Sequence, residues 1–320
     1  MKLHPLKFHP IFKHRIWGGE KLKTILGKSL PANQIGESWE LSAVPGDISV
    51  VDGGSFDGRT LNDLIEEFPE AILGSEVVRR FGATMPLLFK FIDASEDLSI
   101  QVHPNDKVAL ERHGSPGKTE MWYIMDAEPG SRLIAGFADN HSKESYLAAL
   151  KSGQLTSILK SESVAKGDIF FLETGTVHAI GAGILLAEIQ QTSDVTYRIY
   201  DWDRVDDQGN ARALHTAEAL DVISFDTTDT RVAYTKELNT ANATVACPYF
   251  TTSFIPLDGN LTLYSPGSSF TVLMCVEGSF EIIANDSTLF VRKGETILVP
   301  AAIAEFSLKG TAELLHVQIT

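Results

Sequence analysis

Cysteine is scarce in this chain of 320 residues: there are two, Cys247 and Cys275, with no CxxC spacing. Two thiols are too few for a disulfide framework, so the reading is a pair of buried thiols in a reducing compartment. Long apolar runs are missing as well. No stretch approaches the ~18 apolar residues of a membrane span, and Met1-Lys2-Leu3-His4-Pro5 opens without the apolar core of a signal peptide. Basic charge is in deficit, with 27 Lys and Arg against 42 Asp and Glu and a net charge of −15. Phosphate backbones call for basic surfaces, which argues against nucleic acid as a partner. A small anion stays open, because a few Lys and Arg reverse the field inside one pocket. The expectation is a cytoplasmic protein that binds neither nucleic acid nor membrane; no pattern fixes its oligomeric state.

What is present is an ordinary globular composition, 43% hydrophobic and 22% charged, in a chain long enough for two domains or one large one. The opening 56 residues read as irregular, with short extended pieces such as Ser38–Ser42. Leu61, Leu64, Ile65, Phe68, Ile72 and Leu73 recur at spacings of three and four, which predicts helix from Thr60 to Phe81, broken or restarted at Pro69. Leu87–Asp93, Leu98–His103 and Glu120–Met125 read as strands, and Asn105–Arg112 as a short helix behind Pro104. Ser142–Leu159 reads as a helical insertion, Ala213–Phe225 as the last helical stretch, and Thr228–Asn242 as a polar linker.

Two motifs carry the chemistry: Ser-Ile-Gln-Val-His-Pro-Asn-Asp at 99–106 and Gly-Lys-Thr-Glu-Met-Trp-Tyr at 117–123. Gln101 and His103 stand two apart, so a strand would point them the same way. Glu120 adds a carboxylate, and Glu173-Thr-Gly-Thr-Val-His178 adds a second imidazole. Gln101, His103, Glu120 and His178 make a four-ligand N/O set suited to a divalent metal of the zinc type. Each histidine alone would more often be structural, and Gln is an unusual zinc ligand, so a plain hydrogen-bonding strand residue stays open for Gln101. His4, His9, His14, His113, His141 and His316 read as surface or structural residues.

A weak internal repeat organises the rest. Lys166–His178 aligns with Lys293–Glu305: a turn, an apolar strand, a tight turn, then one polar residue. Both copies, with the hairpin at Gly278–Ile282, resemble the second motif of cupin barrels, a jelly-roll fold. The second copy has Glu305 where the first has His178. The expected fold is mainly β: two cupin-like jelly rolls, a metal-binding unit over residues 1–225 with a helical insertion, and a unit without ligands over 226–320.

Four stretches together resemble the type I mannose-6-phosphate isomerases in their short bacterial form. They are Pro10–Gly19, Gly36–Glu40, the segments around Gln101, Glu120 and His178, and Glu188–Trp202. The resemblance implies a zinc-dependent aldose–ketose isomerase, one Zn²⁺ per chain, acting on a small phosphosugar by interconverting mannose 6-phosphate and fructose 6-phosphate. It carries the metal ligands onto Gln101, His103, Glu120 and His178, and the substrate site onto Ser99, Lys118, Glu188 and Arg198, with a catalytic role for Arg198. The helical inserts of longer family members are missing, which leaves the phosphate site unplaced.

An enediol route needs a Lewis acid, a base, and stabilisation of growing negative charge. Arg198 stays protonated and suits an anion. Lys118, its pKa lowered beside a metal, and Glu188 are alternative bases. Trp39, Trp122, Tyr123 and Trp202 are stacking or core residues, and Glu188 could instead pair with Arg198. Gly181-Ala-Gly183 is too short for a nucleotide loop. A different cupin metalloenzyme and a non-catalytic scaffold are the rivals; bound zinc, iron or no metal separates the three.

Overall fold

The structure is a computed structural model and describes residues 3–205 and 208–319. Two antiparallel sheets face each other in its N-terminal part. One has seven strands, in the order Ile11–His14, Ile35–Leu41, Leu87–Ala94, Ile184–Gln191, Glu120–Ala127, Ile169–Leu172 and Arg231–Val232. The other has five: Tyr197–Tyr200, Ile100–Val102, His178–Ile180, Arg132–Phe137 and Leu159–Ser163. Every residue of Leu87–Ala94 and Ile184–Gln191 is buried, because this sheet is covered on both faces. Ile92, Trp122, Ile124 and Leu186 fill the space between the sheets, whereas Phe89, Phe91, Met121, Leu185 and Ile189 pack outward. Lys90, Glu120 and Glu188 fall in phase with the inward set, so three charged side chains enter the roll at one end of its apolar filling.

The C-terminal part is a six-stranded sheet whose three long strands, Thr251–Tyr264, Thr271–Ala284 and Glu305–Gln318, span 14 residues each. A bulge between Cys275 and Glu277 lets the middle strand turn from one core into another. Ile255, Leu273, Phe280, Ile282, Leu308 and Leu314 close an inner core. Phe254, Val272, Met274, Leu315 and Val317 pack with the outer face of the seven-stranded sheet in one continuous cluster. The fold is mainly β and of the cupin type, as the sequence predicts.

The helices follow the pattern with corrections of extent. Leu61–Glu67 ends and Pro69–Leu73 starts at Pro69, as expected, and a further break at Gly74 (φ 94°) sets off Ser75–Phe81. Helix Asp106–His113 is capped by Asn105, whose side chain accepts from Val108 N–H at 3.1 Å. Helix Lys143–Lys151 lays Tyr146 against the outside of the five-stranded sheet. Ala213–Phe225 is helical only over Thr216–Leu220, because backbone bonding of His215 to Arg198 (2.7 Å) holds the preceding turn extended. The linker is also corrected: Arg231–Val232 pairs with Ile169–Phe170, and Thr230 is buried. The opening segment contains a wholly buried strand, Ile35–Leu41, which polar residues disguise because its carboxylates are paired with basic side chains. Glu37 pairs with Arg15 and Glu40 with Lys28.

The repeat is structural. His178 and Glu305 each begin a strand after an equivalent turn, with Gly167 and Gly294 in the left-handed region at its start (φ 92° and 84°). His178 is buried and Glu305 exposed. Gly181 has a packing role instead of a phosphate role: a Cβ there would lie 1.9 Å from the Arg132 carbonyl oxygen. Gly181→Ala is expected to destabilise the fold by about 3 kcal/mol, measured by denaturant unfolding.

Candidate metal centre and active site

Glu120 opens a strand of the seven-stranded sheet, whereas Gln101 and His178 lie opposite each other on neighbouring strands of the five-stranded one. His103 follows the strand Ile100–Val102. The two sheets thereby aim four side chains at one point. His178 Nε2 lies 3.3 Å from Glu120 Oε1, and His103 Nε2 lies 3.6 Å from Oε2. Each imidazole donates its other nitrogen to a carbonyl: His103 Nδ1 to Val195 at 3.0 Å and His178 Nδ1 to Thr176 at 2.9 Å. Those bonds fix the tautomer and leave both Nε2 lone pairs facing Glu120. Burial lowers both histidines, His103 well below the usual range and His178 to about 4, so both are neutral.

Glu120 is completely buried, and neither of its oxygens accepts a well-formed hydrogen bond; Lys118 Nζ stands 3.0 Å from Oε2 as an ion pair. Burial outweighs that neighbour and pushes the carboxyl up to about 7. A buried carboxylate without well-formed hydrogen bonds, facing two neutral imidazole nitrogens, is costly unless cations compensate it. The donor set fits a divalent metal. A second cluster, His9, Asp52 and Asp57, is solvent-exposed. Gln101 adjoins the centre with its amide nitrogen 3.3 Å from His178 Nε2, while its oxygen accepts from Ser99 Oγ at 3.4 Å. For Gln101 to be a ligand, its amide must turn about its last torsion so that the oxygen faces inward.

The loop that delivers Lys118 is tied from two sides. Asp106 Oδ1 accepts from Gly117 N–H (2.8 Å) and from Gln191 (2.9 Å), and Oδ2 accepts from Tyr249 of the C-terminal part (2.6 Å). Lys118 Nζ also lies 3.1 Å from His103 Nε2. Burial opposes its charge, but Glu120 and Glu188 prevail and raise its pKa.

A cavity of about 310 Å³ opens on this centre. Ser99, Gln101, Lys118, Glu188 and Arg198 line it, so it brings together all four expected substrate residues and one expected ligand. Glu188 is corrected in one respect: it lies inside its strand and pairs with Lys90 (2.9 Å) and the Trp122 indole (2.9 Å), not with Arg198. Burial would raise its pKa, but Lys90 and Lys118 hold it at about 2. Arg198 sits beside Gln101 across the strand pair, and its Nη1 donates to the Ala213 carbonyl (2.9 Å). Its Nε is buried with no partner.

The aromatic expectations are settled by burial. Trp39, Trp122 and Tyr123 are core residues: the Trp39 indole donates to Glu37 (2.7 Å), and Tyr123 stacks on Phe254 of the C-terminal part. Trp202 donates to the Leu98 carbonyl (2.8 Å). The aromatic wall is Trp17, which sequence reasoning passed over together with Arg15, Glu37, Lys90, Asp194 and Arg212. Lys90 carried a usable signal, a charge inside an otherwise apolar strand. His215 accepts the Arg198 backbone N–H through Nδ1 (3.1 Å) and braces it from behind. Cys275 is buried, but Cys247 is partly exposed; both are free thiols.

Two sheets closed over a buried His/Glu/His group able to hold a metal, beside a charged cavity, define a cupin-fold protein with a ligand site. Profiles of two families match: "Phosphomannose isomerase type I, catalytic domain" over residues 6–131 and "Mannose-6-phosphate isomerase, cupin domain" over 240–319. The mannose-6-phosphate isomerase ManA of Bacillus subtilis is 36% identical over 319 residues, covering 98% of this chain and 99% of that one. The mannose-6-phosphate isomerase of Streptococcus mutans is 34% identical, with 97% of each covered. The crystal structure of the mannose 6-phosphate isomerase from Bacillus subtilis superposes with a TM-score of 0.90 at 34% identity, covering 98% of this chain and 99% of that one. The chain belongs to the type I phosphomannose isomerase family.

Proposed function

We propose that this protein is a zinc-dependent aldose–ketose isomerase that interconverts mannose 6-phosphate and fructose 6-phosphate through an enediol. The observation that carries the reading is the buried His103–Glu120–His178 group lying behind Gln101 and Lys118, which line one cavity with Arg198. One zinc per chain, held by these three residues with Gln101 as the fourth ligand, would supply a Lewis acid for the oxygens on the reacting carbons.

The chain's own groups do the rest. Isomerisation breaks the C2–H bond and forms a C1–H bond, while a hydroxyl proton leaves O2 and one is gained at O1. Lys118 Nζ is the group placed to carry the carbon-bound proton. Glu188 is less suited, because Lys90 and Trp122 occupy its two oxygens; it fixes Lys90 in the wall. Arg198 stabilises the negative charge that develops in the enediol, and Ser99 Oγ binds a sugar hydroxyl. Residues 1–225 are read as the catalytic jelly roll and 226–320 as the second, with Arg231–Val232 paired back into the first. Two free thiols suit the cytoplasm, and no described helix is long and apolar enough to cross a membrane.

The test is a coupled assay that supplies mannose 6-phosphate and detects fructose 6-phosphate, with and without a chelator. Turnover should disappear on chelation and return with zinc. Protein that holds one zinc per chain yet turns over no mannose 6-phosphate would overturn the substrate.

A further inference from the structure

The charges lining the cavity are not evenly balanced. Three of its cations face carboxylates: Arg15 with Glu37 (2.7 Å), Lys90 with Glu188 (2.9 Å) and Lys118 with Glu120 (3.0 Å). The remaining wall carboxylate, Asp194, is solvent-exposed. The end formed by Arg198 and Arg212 differs. Arg212 grips buried Asp201 through one edge of its guanidinium, Nε to Oδ2 at 2.7 Å and Nη2 to Oδ1 at 2.5 Å. Asp201 is shared with Arg204 (2.6 Å), which also reaches exposed Glu96 at 3.6 Å. Arg198 has no carboxylate partner at all among the described residues. Arg204 and Arg212 therefore share the buried carboxylate of Asp201 while Arg198 has none, so among the described residues this end carries excess positive charge. Guanidinium groups crowded in this way are stabilised by a dianion with several acceptor oxygens.

The order of groups along the wall gives that dianion a place on the substrate. Gln101, at the metal centre, pairs across strands with Arg198. Arg198 Nη1 in turn holds the Ala213 carbonyl, next in the chain to Arg212. The reacting carbons and the phosphate lie at opposite ends of a hexose 6-phosphate, and Arg198 touches both the strand that carries Gln101 and the segment that carries Arg212. We propose that Arg212, held in position by Asp201, binds the phosphate of the substrate and sets the preference for phosphorylated over free sugar. The identity of the substrate rests on the isomerase reading; the anion site does not.

Two experiments on zinc-loaded protein test this. Arg212→Gln is expected to raise KM for mannose 6-phosphate about 30-fold and to weaken competitive inhibition by inorganic phosphate to a similar degree, with partial recovery in Arg212→Lys. A KM and a phosphate inhibition constant both within about threefold of wild type would overturn the assignment. The second experiment needs no variant and no turnover. Inorganic phosphate should protect Arg212 of the wild-type protein from phenylglyoxal, mapped by peptide mass spectrometry, and equal labelling with and without phosphate would overturn it. Protection without turnover of mannose 6-phosphate keeps the anion site and removes the isomerase reading. Normal turnover with Arg212 unprotected and KM unchanged does the opposite.

Discussion

Glu120→Gln is expected to strip the protein of its metal and reduce turnover by about 10⁴-fold or more. The substitution keeps size and shape but removes the one anionic donor of the centre. Two neutral imidazoles and two amides are a poor set for a divalent cation, since the carboxylate supplies the charge that offsets desolvation of the ion. Glu120 is 0% exposed, so no water can take its place. The change also leaves Lys118 without its partner at 3.0 Å, so metal-free protein should lose some stability. Metal content after dialysis, measured by atomic emission, should fall from one ion per chain to a trace. Gln101→Ala provides the contrast: a neutral donor at the edge of the centre should cost affinity by a factor of about 10–100 without abolishing binding. Stoichiometric metal in Glu120→Gln would remove Glu120 from the ligand set.

The centre was legible in the sequence because its ligands sit on features that leave a local trace. Gln101 and His103 are two apart on an extended segment, and His178 closes a turn that recurs at Glu305. At the equivalent places of the repeat, Glu305 is exposed where His178 is buried. The walls were less legible because they depend on pairings between distant segments. Glu37 looks like a surface residue until Arg15 and the Trp39 indole are brought to it. Lys90 and Glu188 are 98 residues apart and meet because their strands are neighbours in register. Arg212 left no trace: what marks it is its pairing with Asp201, eleven residues earlier. Lengths failed for a related reason. Periodicity marks where a helix can form, but Gly74 adds a break beyond the one expected at Pro69, and the pairing of His215 with Arg198 shortens the last helix.

Arg198→Ala is expected to lower kcat by about 10³-fold while metal content stays at one ion per chain. The two readouts separate because Arg198 touches none of His103, Glu120 or His178, and its place on the strand Tyr197–Tyr200 is secured by backbone pairing with Ile100–Val102. Among the described residues the side chain makes one hydrogen bond, to the Ala213 carbonyl, and leaves a buried Nε without a partner. A buried donor left unsatisfied costs stability, so this guanidinium is spending its hydrogen-bonding capacity on the contents of the cavity, not on the fold. Burial, together with the positive charges of Arg212 and Arg204, lowers its pKa, yet guanidinium remains charged at any pH where the fold persists, so the loss should show no pH dependence of its own. The expected pattern is the reverse of that for Arg212→Gln: a fall in kcat with modest change in KM, because charge on the enediol develops after binding whereas the phosphate is charged throughout. Arg198→Lys should recover little, since an ammonium cannot replace the planar fork beside Gln101. Turnover of Arg198→Ala within tenfold of wild type, in protein with full metal and an unchanged circular dichroism spectrum, would remove Arg198 from the chemistry and leave it as a wall residue.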